Sequence, residues 1–142
     1  MSLDAHTLLL VEDSPDDAFF LEYELKKTGI KAQVRVVQDG QEALDYLTGR
    51  GKYADRSEFP VPTVLLLDLK LPFLSGFDVL TRMRAHPESS RLPVFVLTGS
   101  SEARDRGRAM ELGARGYFVK PLRAEKLREM LESLVPAERQ AM

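Results

Sequence analysis

At 142 residues, 44% hydrophobic and 30% charged, the chain has the size and balance of one globular domain with a sizeable core. Its 20 basic and 22 acidic residues leave a net charge of −2, which argues against a broad nucleic-acid-binding surface. The lack of cysteine excludes disulfide and thiol chemistry and fits a reducing, cytoplasmic setting, and no apolar run reaches the length of a membrane span.

Apolar runs alternate with amphipathic stretches along the chain. TLLLVED (Thr7 to Asp13) reads as a buried strand. SPDDAFFLEYELKKTG (Ser14 to Gly29) reads as a helix with Ser14 as N-cap, Pro15 in the first turn, Asp16 and Asp17 at the positive end of the dipole, and Gly29 as the stop. A second strand, Gln33 to Val37, precedes a short helix, Gly40 to Gly49. The third strand is TVLLLD (Thr63 to Asp68) and the third helix runs from Gly76 to His86. The fourth pair is LPVFVLTG (Leu92 to Gly99) and Glu102 to Ala114, a helix weakened by Gly107. The last pair is GYFVK (Gly116 to Lys120) and Arg123 to Val135, whose Leu127, Met130, Leu131 and Leu134 follow the i, i+3, i+4, i+7 spacing of one buried face. Between the second helix and third strand, Arg50 to Pro62 forms a long connection with two prolines, expected to be a solvated spacer or a partner-binding loop. Residues 136–142 are polar and expected to fray.

The first, third and fourth strands are apolar almost throughout, as central strands of a parallel sheet covered on both faces must be. Five βα units in succession predict an open, doubly wound α/β sheet of five parallel strands. Ligand sites in such sheets lie beyond the carboxyl ends of the strands. Those ends carry Glu12 and Asp13, Asp68, Thr98, and Lys120 followed by Pro121. Aspartate is a poor strand residue and costly to bury, so its place directly after Val64 to Leu67 suggests a helix-cap or turn residue, or a working group held rigidly at a wet or metal-bound site. Three carboxylates gathered together repel, and an all-oxygen set that leaves room for water and phosphate suits Mg²⁺. Lys120 can then neutralise charge and hold an anion while Thr98 hydrogen-bonds its oxygens, and Asp68 becomes the candidate acceptor of a phosphoryl group. His6 and His86 stand too far apart in sequence to suggest a histidine metal site.

With these residues in order on their strands, the chain resembles the receiver domains of two-component response regulators from Leu8 to about Leu134. The resemblance rests on VED at the first strand, LLLDLKLP with Gly76 eight residues beyond Asp68, VLTGS at the fourth strand and GYFVKP at the fifth. It implies a receiver domain over residues 1–135 with the flavodoxin-like strand order 2-1-3-4-5. It also implies a phosphoryl group passed to Asp68 from a phosphohistidine on a sensor histidine kinase. Mg²⁺ would be held directly by Asp13, Asp68 and the backbone carbonyl of Lys70, with Glu12 acting largely through water and a cis Lys120–Pro121 bond alongside. Thr98 would move toward the phosphate and Tyr117 would swing inward behind it, altering the face made by the fourth helix, fifth strand and fifth helix. No catalysis beyond the domain's own phosphorylation and dephosphorylation is implied. The long loop, the YLTGRGKY run and the short tail resemble the stand-alone receivers paired with bacterial phytochromes and hybrid kinases. Lys70 departs from the commoner Asn or Met, which leaves its effect on dephosphorylation open.

Two surfaces are candidates for partners. Phe19 and Tyr23 form an outward i, i+4 aromatic pair on the first helix, which reads either as tolerated surface or as a docking ridge for a kinase or a dimer mate. Arg104, Arg106, Arg108 and Arg115 form a solvated face or part of an output surface. A homodimer through the fourth helix, fifth strand and fifth helix is the preferred self-association, with Phe19 and Tyr23 as the competing interface. Three rival functions remain in view. A haloacid-dehalogenase-like phosphatase would want an acid where Lys70 stands, and a flavin protein would want a phosphate loop where EDSPDD is acidic. A receiver-fold binding module that is never phosphorylated would need none of the five strand-end residues.

Overall fold

The computed structural model describes residues 6–134. Five strands, β1 (Thr7–Val11), β2 (Gln33–Val37), β3 (Val64–Leu67), β4 (Val94–Thr98) and β5 (Gly116–Val119), form one parallel sheet in the order β2-β1-β3-β4-β5. This is the flavodoxin-like order, with its reversal between β1 and β3. Every residue of β1, β3 and β4 is buried. The edge strand β2, by contrast, is mostly exposed or half-buried.

The helices are α1 (Pro15–Thr28), α2 (Gly40–Thr48), α3 (Gly76–Met83), α4 (Ala103–Glu111) and α5 (Ala124–Glu132). Alternation along the strands splits the core into two layers. Leu8, Leu10, Val64, Leu66, Phe95 and Leu97 pack with α1 and α5, whereas Leu9, Val11, Leu65, Leu67, Val94 and Val96 pack with α2, α3 and Ala109 of α4. Burying each of these aliphatic side chains contributes about 1.5–3 kcal/mol, so the central strands are the most firmly held part of the molecule and their carboxyl ends form a rigid rim. In α4 the anchoring is slight, since Ala109 is its one buried residue and its N-cap, Glu102, makes no side-chain cap bond.

Local chemistry sets the helix ends. Ser14 Oγ accepts the Asp17 N–H at 3.2 Å, and Gly29, with φ of 77°, closes α1 in the left-handed region. Ser75 and Asp78 form a reciprocal capping box at the start of α3. The N-cap of α5, Arg123, caps nothing with its own side chain, and the buried Glu24 of α1 accepts the Ala124 N–H instead, at 2.9 Å. Helix α3 stops at Met83 rather than continuing to His86. Pro87 disfavours helical geometry at the residue before it, and the Arg84 guanidinium donates to the carbonyls of Ser90, Leu92 and Gly113, holding the chain in a turn.

The connection from Arg50 to Pro62 is not a solvated spacer. It contains a 3-10 turn (Gly51–Ala54), and Tyr53 is buried against Tyr46 and Phe59, with ring centroids 4.9 and 5.0 Å away. The Tyr53 hydroxyl donates to Glu42, the Tyr46 hydroxyl to the Pro60 carbonyl, and Arg56 to the Leu47 carbonyl. The loop is thus tied to α2 along its length. Val135 and the polar tail 136–142 lie outside the described residues. Among the described residues no helix is long and apolar enough to cross a membrane.

Candidate functional site

The carboxyl ends of β1, β3, β4 and β5 bring the strand-end residues together. Asp68 follows β3, the strand flanked by β1 and β4, and is only 6% exposed. Its Oδ1 accepts the Lys70 N–H at 3.3 Å and its Oδ2 accepts from Lys120 Nζ at 2.9 Å. One ligand oxygen from each of Glu12, Asp13 and Asp68 lies within 4.8 Å of the others. Glu12 is buried and Asp13 exposed, so the cluster has a closed side and an open one.

Lys120 is the electrostatic centre of the rim. Its Nζ lies 2.6 Å from Glu12 Oε1, 2.8 Å from Asp17 Oδ2 and 2.9 Å from Asp68 Oδ2. Burial by itself depresses the Lys120 pKa. The hydrogen bonds to Asp17, Glu12 and Asp68 outweigh it, and the net direction is upward, so the ammonium stays charged. At Glu12 burial is the larger effect and raises the carboxyl, against the lowering pull of Lys120 and of the Ser14 N–H on Oε2. Lys120 is anchored by its own backbone too, where its N–H donates to the Thr98 carbonyl at 2.8 Å. The Lys120–Pro121 bond is cis, as the resemblance implied.

Thr98 is fully buried at the end of β4, beside Ser100. Ser100 was not singled out in the sequence, yet it ties the rim together: its Oγ donates to Asp105 at 2.6 Å, and its carbonyl accepts the Tyr117 hydroxyl at 2.9 Å. Tyr117 is 6% exposed, so its ring already lies inward, with the Arg106 guanidinium over it. Asp17 was also missed. It read as a dipole-favouring residue in the first turn, and its partner is 103 positions away. The one local signal was that this turn follows directly on β1 and projects toward the same rim. Phe19 and Tyr23 are 70% and 53% exposed, as the helical wheel predicts, and the Lys27 ammonium lies 4.9 Å over the Tyr23 ring.

The loop from Asp68 to α3 carries one strained residue. Phe73 has φ of 69° and is 90% exposed. The left-handed region costs a non-glycine residue about 1–2 kcal/mol, and this ring recovers almost nothing by burial. Phe73→Gly is therefore expected to raise unfolding free energy by roughly 0.5–1 kcal/mol after the extra freedom of glycine in the unfolded chain is counted. A denaturant titration showing a loss of stability would mean that the ring makes stabilising contacts.

The donor set is all oxygen, it concentrates negative charge that Lys120 offsets by one unit, and it opens to solvent on the Asp13 side. It thus fits a hard divalent cation such as Mg²⁺.

Comparison with known proteins agrees with this geometry. The response regulator receiver domain family matches residues 8–132. The response regulator Rcp1 of Synechocystis sp. is 33% identical over 127 residues, 89% of this chain and 84% of its own. Its Mn²⁺-bound structure superposes with a TM-score of 0.74 at 32% identity, covering 91% of each chain. The phosphorylated cyanobacterial phytochrome response regulator RcpA gives 0.76 at 30% identity over 91% of this chain and 90% of its own. The bacteriophytochrome response regulator AtBRR gives 0.79 at 38% identity over 91% of each. The order of the strands, the acidic rim paired with the Lys120 ammonium and the extent of these matches converge on one assignment: the chain belongs to the response regulator receiver domains of two-component signalling, alongside those that serve phytochromes.

Proposed function

We propose that this receiver takes a phosphoryl group onto Asp68 from a phosphohistidine of a sensor histidine kinase, a bacterial phytochrome or hybrid kinase by analogy with its relatives. The observation that carries this is Asp68 itself: a buried carboxylate at the end of a central strand, held through one oxygen by Lys120 and grouped with Glu12 and Asp13. In the transfer an Asp68 oxygen bonds to phosphorus as the P–N bond to the donor imidazole breaks. The bonding pair leaves with the ring, which departs neutral because its other nitrogen keeps a proton. Lys120 supplies positive charge to the phosphoryl oxygens and Thr98 a hydroxyl.

Asp13, Asp68 and the Lys70 carbonyl are the residues that would hold Mg²⁺, with Glu12 acting through water. A bound cation supplies charge neutralisation for donor and acceptor alike. That Mn²⁺ occupies the Rcp1 structure supports a divalent site. Phosphorylation adds nearly two negative charges and three acceptor oxygens, and the output is the face of α4, β5 and α5, which Thr98 and Tyr117 connect to the rim. Phe19 and Tyr23 are the favoured docking pair for the kinase, and signalling proceeds by protein contact in the cytoplasm, through a homodimer or another partner and without DNA binding.

The test uses acetyl phosphate with Mg²⁺, followed by intact mass. A hydroxylamine-labile gain of about 80 Da, one phosphoryl group, that disappears in chelator is the expected result. Absence of any adduct from correctly folded protein would favour the one alternative in which the same fold serves as an unphosphorylated binding module.

A further inference from the structure

An ammonium group has three N–H donors. All three of those on Lys120 are matched by carboxylate oxygens, from Glu12 at 2.6 Å, Asp17 at 2.8 Å and Asp68 at 2.9 Å. A phosphoryl group arriving on Asp68 brings new acceptor oxygens to a lysine with no donor to spare. One existing bond must be exchanged, and the three differ in what that costs. The Glu12 side chain is 2% exposed, so losing its cation would strand a buried charge. Asp68 is the reacting group. The Asp17 side chain is 47% exposed, and water can take the place of Lys120 there.

We propose that Asp17 is a positioning residue for Lys120, holding the third N–H of the ammonium in the resting protein and yielding it to a phosphoryl oxygen on Asp68. This rests on Asp68 being the phosphoacceptor. Asp17 is suited to the task by its place in the first turn of α1, where its own N–H is fixed on Ser14 Oγ while its carboxylate reaches across to the turn after β5. The contact therefore acts as a competitor of the phosphorylated state, and weakening it favours that state.

The experiment is calorimetric titration of the folded protein with beryllofluoride, a phosphoryl mimic, at saturating Mg²⁺. Asp17→Asn keeps the shape and an acceptor oxygen but removes the charge. It should bind beryllofluoride about 2–5-fold more tightly, the range expected from loss of an exposed ion pair. Asp16→Asn is the control, because it removes the same charge from the adjacent position. Its affinity should match the wild type. A purely structural tie between α1 and β5 predicts weaker or unchanged binding in Asp17→Asn, and either result overturns the proposal. Equal tightening in both variants overturns it as well, by showing a general charge effect. If the wild-type protein fails to bind beryllofluoride at all, the phosphoacceptor reading itself falls, an outcome distinct from the other three.

Discussion

Asp68→Asn should abolish the acetyl phosphate adduct. Of the carboxylates on the rim, Asp68 alone sits directly at the end of β3, with one oxygen braced by the Lys70 N–H and the other by Lys120. Glu12 is buried with both oxygens engaged, by Lys120 and by the Ser14 N–H. An asparagine occupies the same volume and its amide oxygen can still accept from Lys120, but the amide is not a nucleophile at neutral pH. The fold should survive the change. Three ligand carboxylates within 4.8 Å of one another repel when no cation is bound, and removing one charge relieves that. The unfolding midpoint in chelator is therefore expected to equal or exceed that of the wild type. A variant that still gains the adduct in full would transfer the acceptor role to Asp13 or Glu12.

Gly76→Ala is expected to be severely destabilising. A Cβ at Gly76 would lie 2.3 Å from the Asp68 carbonyl oxygen and 2.7 Å from Leu69 Cα. Both are backbone atoms, so no side-chain rotation can relieve the overlap. The Gly76 N–H also donates to the Leu69 carbonyl at 2.8 Å, which pins the start of α3 against this turn. Overpacking of cores costs about 1–3 kcal/mol, and a clash against immobile backbone belongs at the upper end. A loss of about 3 kcal/mol corresponds to a fall in melting temperature of roughly 10 °C for a domain of this size. Because the displaced atoms belong to Asp68 and Leu69, acceptance of a phosphoryl group should fall in the same variant. Calorimetry showing an unchanged midpoint would mean that the turn has room that its geometry denies.

The βα alternation was legible because its signals are local. Val64 to Leu67 is too apolar for a surface strand, and Ser14, Pro15 and Gly29 punctuate α1 in the order that helix chemistry requires. The strand-end residues were legible through topology, since parallel strands deliver all their carboxyl ends to one rim. What escaped depended on contacts distant in sequence. Asp17 has a sufficient local role in its own turn, so nothing in the chain announces a lysine 103 positions away. Tyr53 and Phe59 lie in a segment whose prolines and charges resemble a spacer, and their packing against each other and against Tyr46 of α2 is a tertiary contact that local sequence does not announce. Phe73 shows the limit of propensity, because a bulky ring in the left-handed region is what local preference argues against.

The slight anchoring of α4 has a consequence for how the domain moves. A helix of nine residues that buries a single alanine gives up little apolar contact when it detaches from the sheet. Its neighbour α5 is held differently, with Leu127, Met130 and Leu131 in the core and its first turn fastened to α1 through Glu24. In native-state amide hydrogen exchange the two helices should belong to separate opening units. The amides of α4 would exchange through a local opening of low free energy, while those of α5 would exchange only when the α1 side of the sheet opens. The face assigned to output thus joins a loose element to a fixed one, and a signal that biases the loose helix need not disturb the scaffold that keeps Asp68 in place.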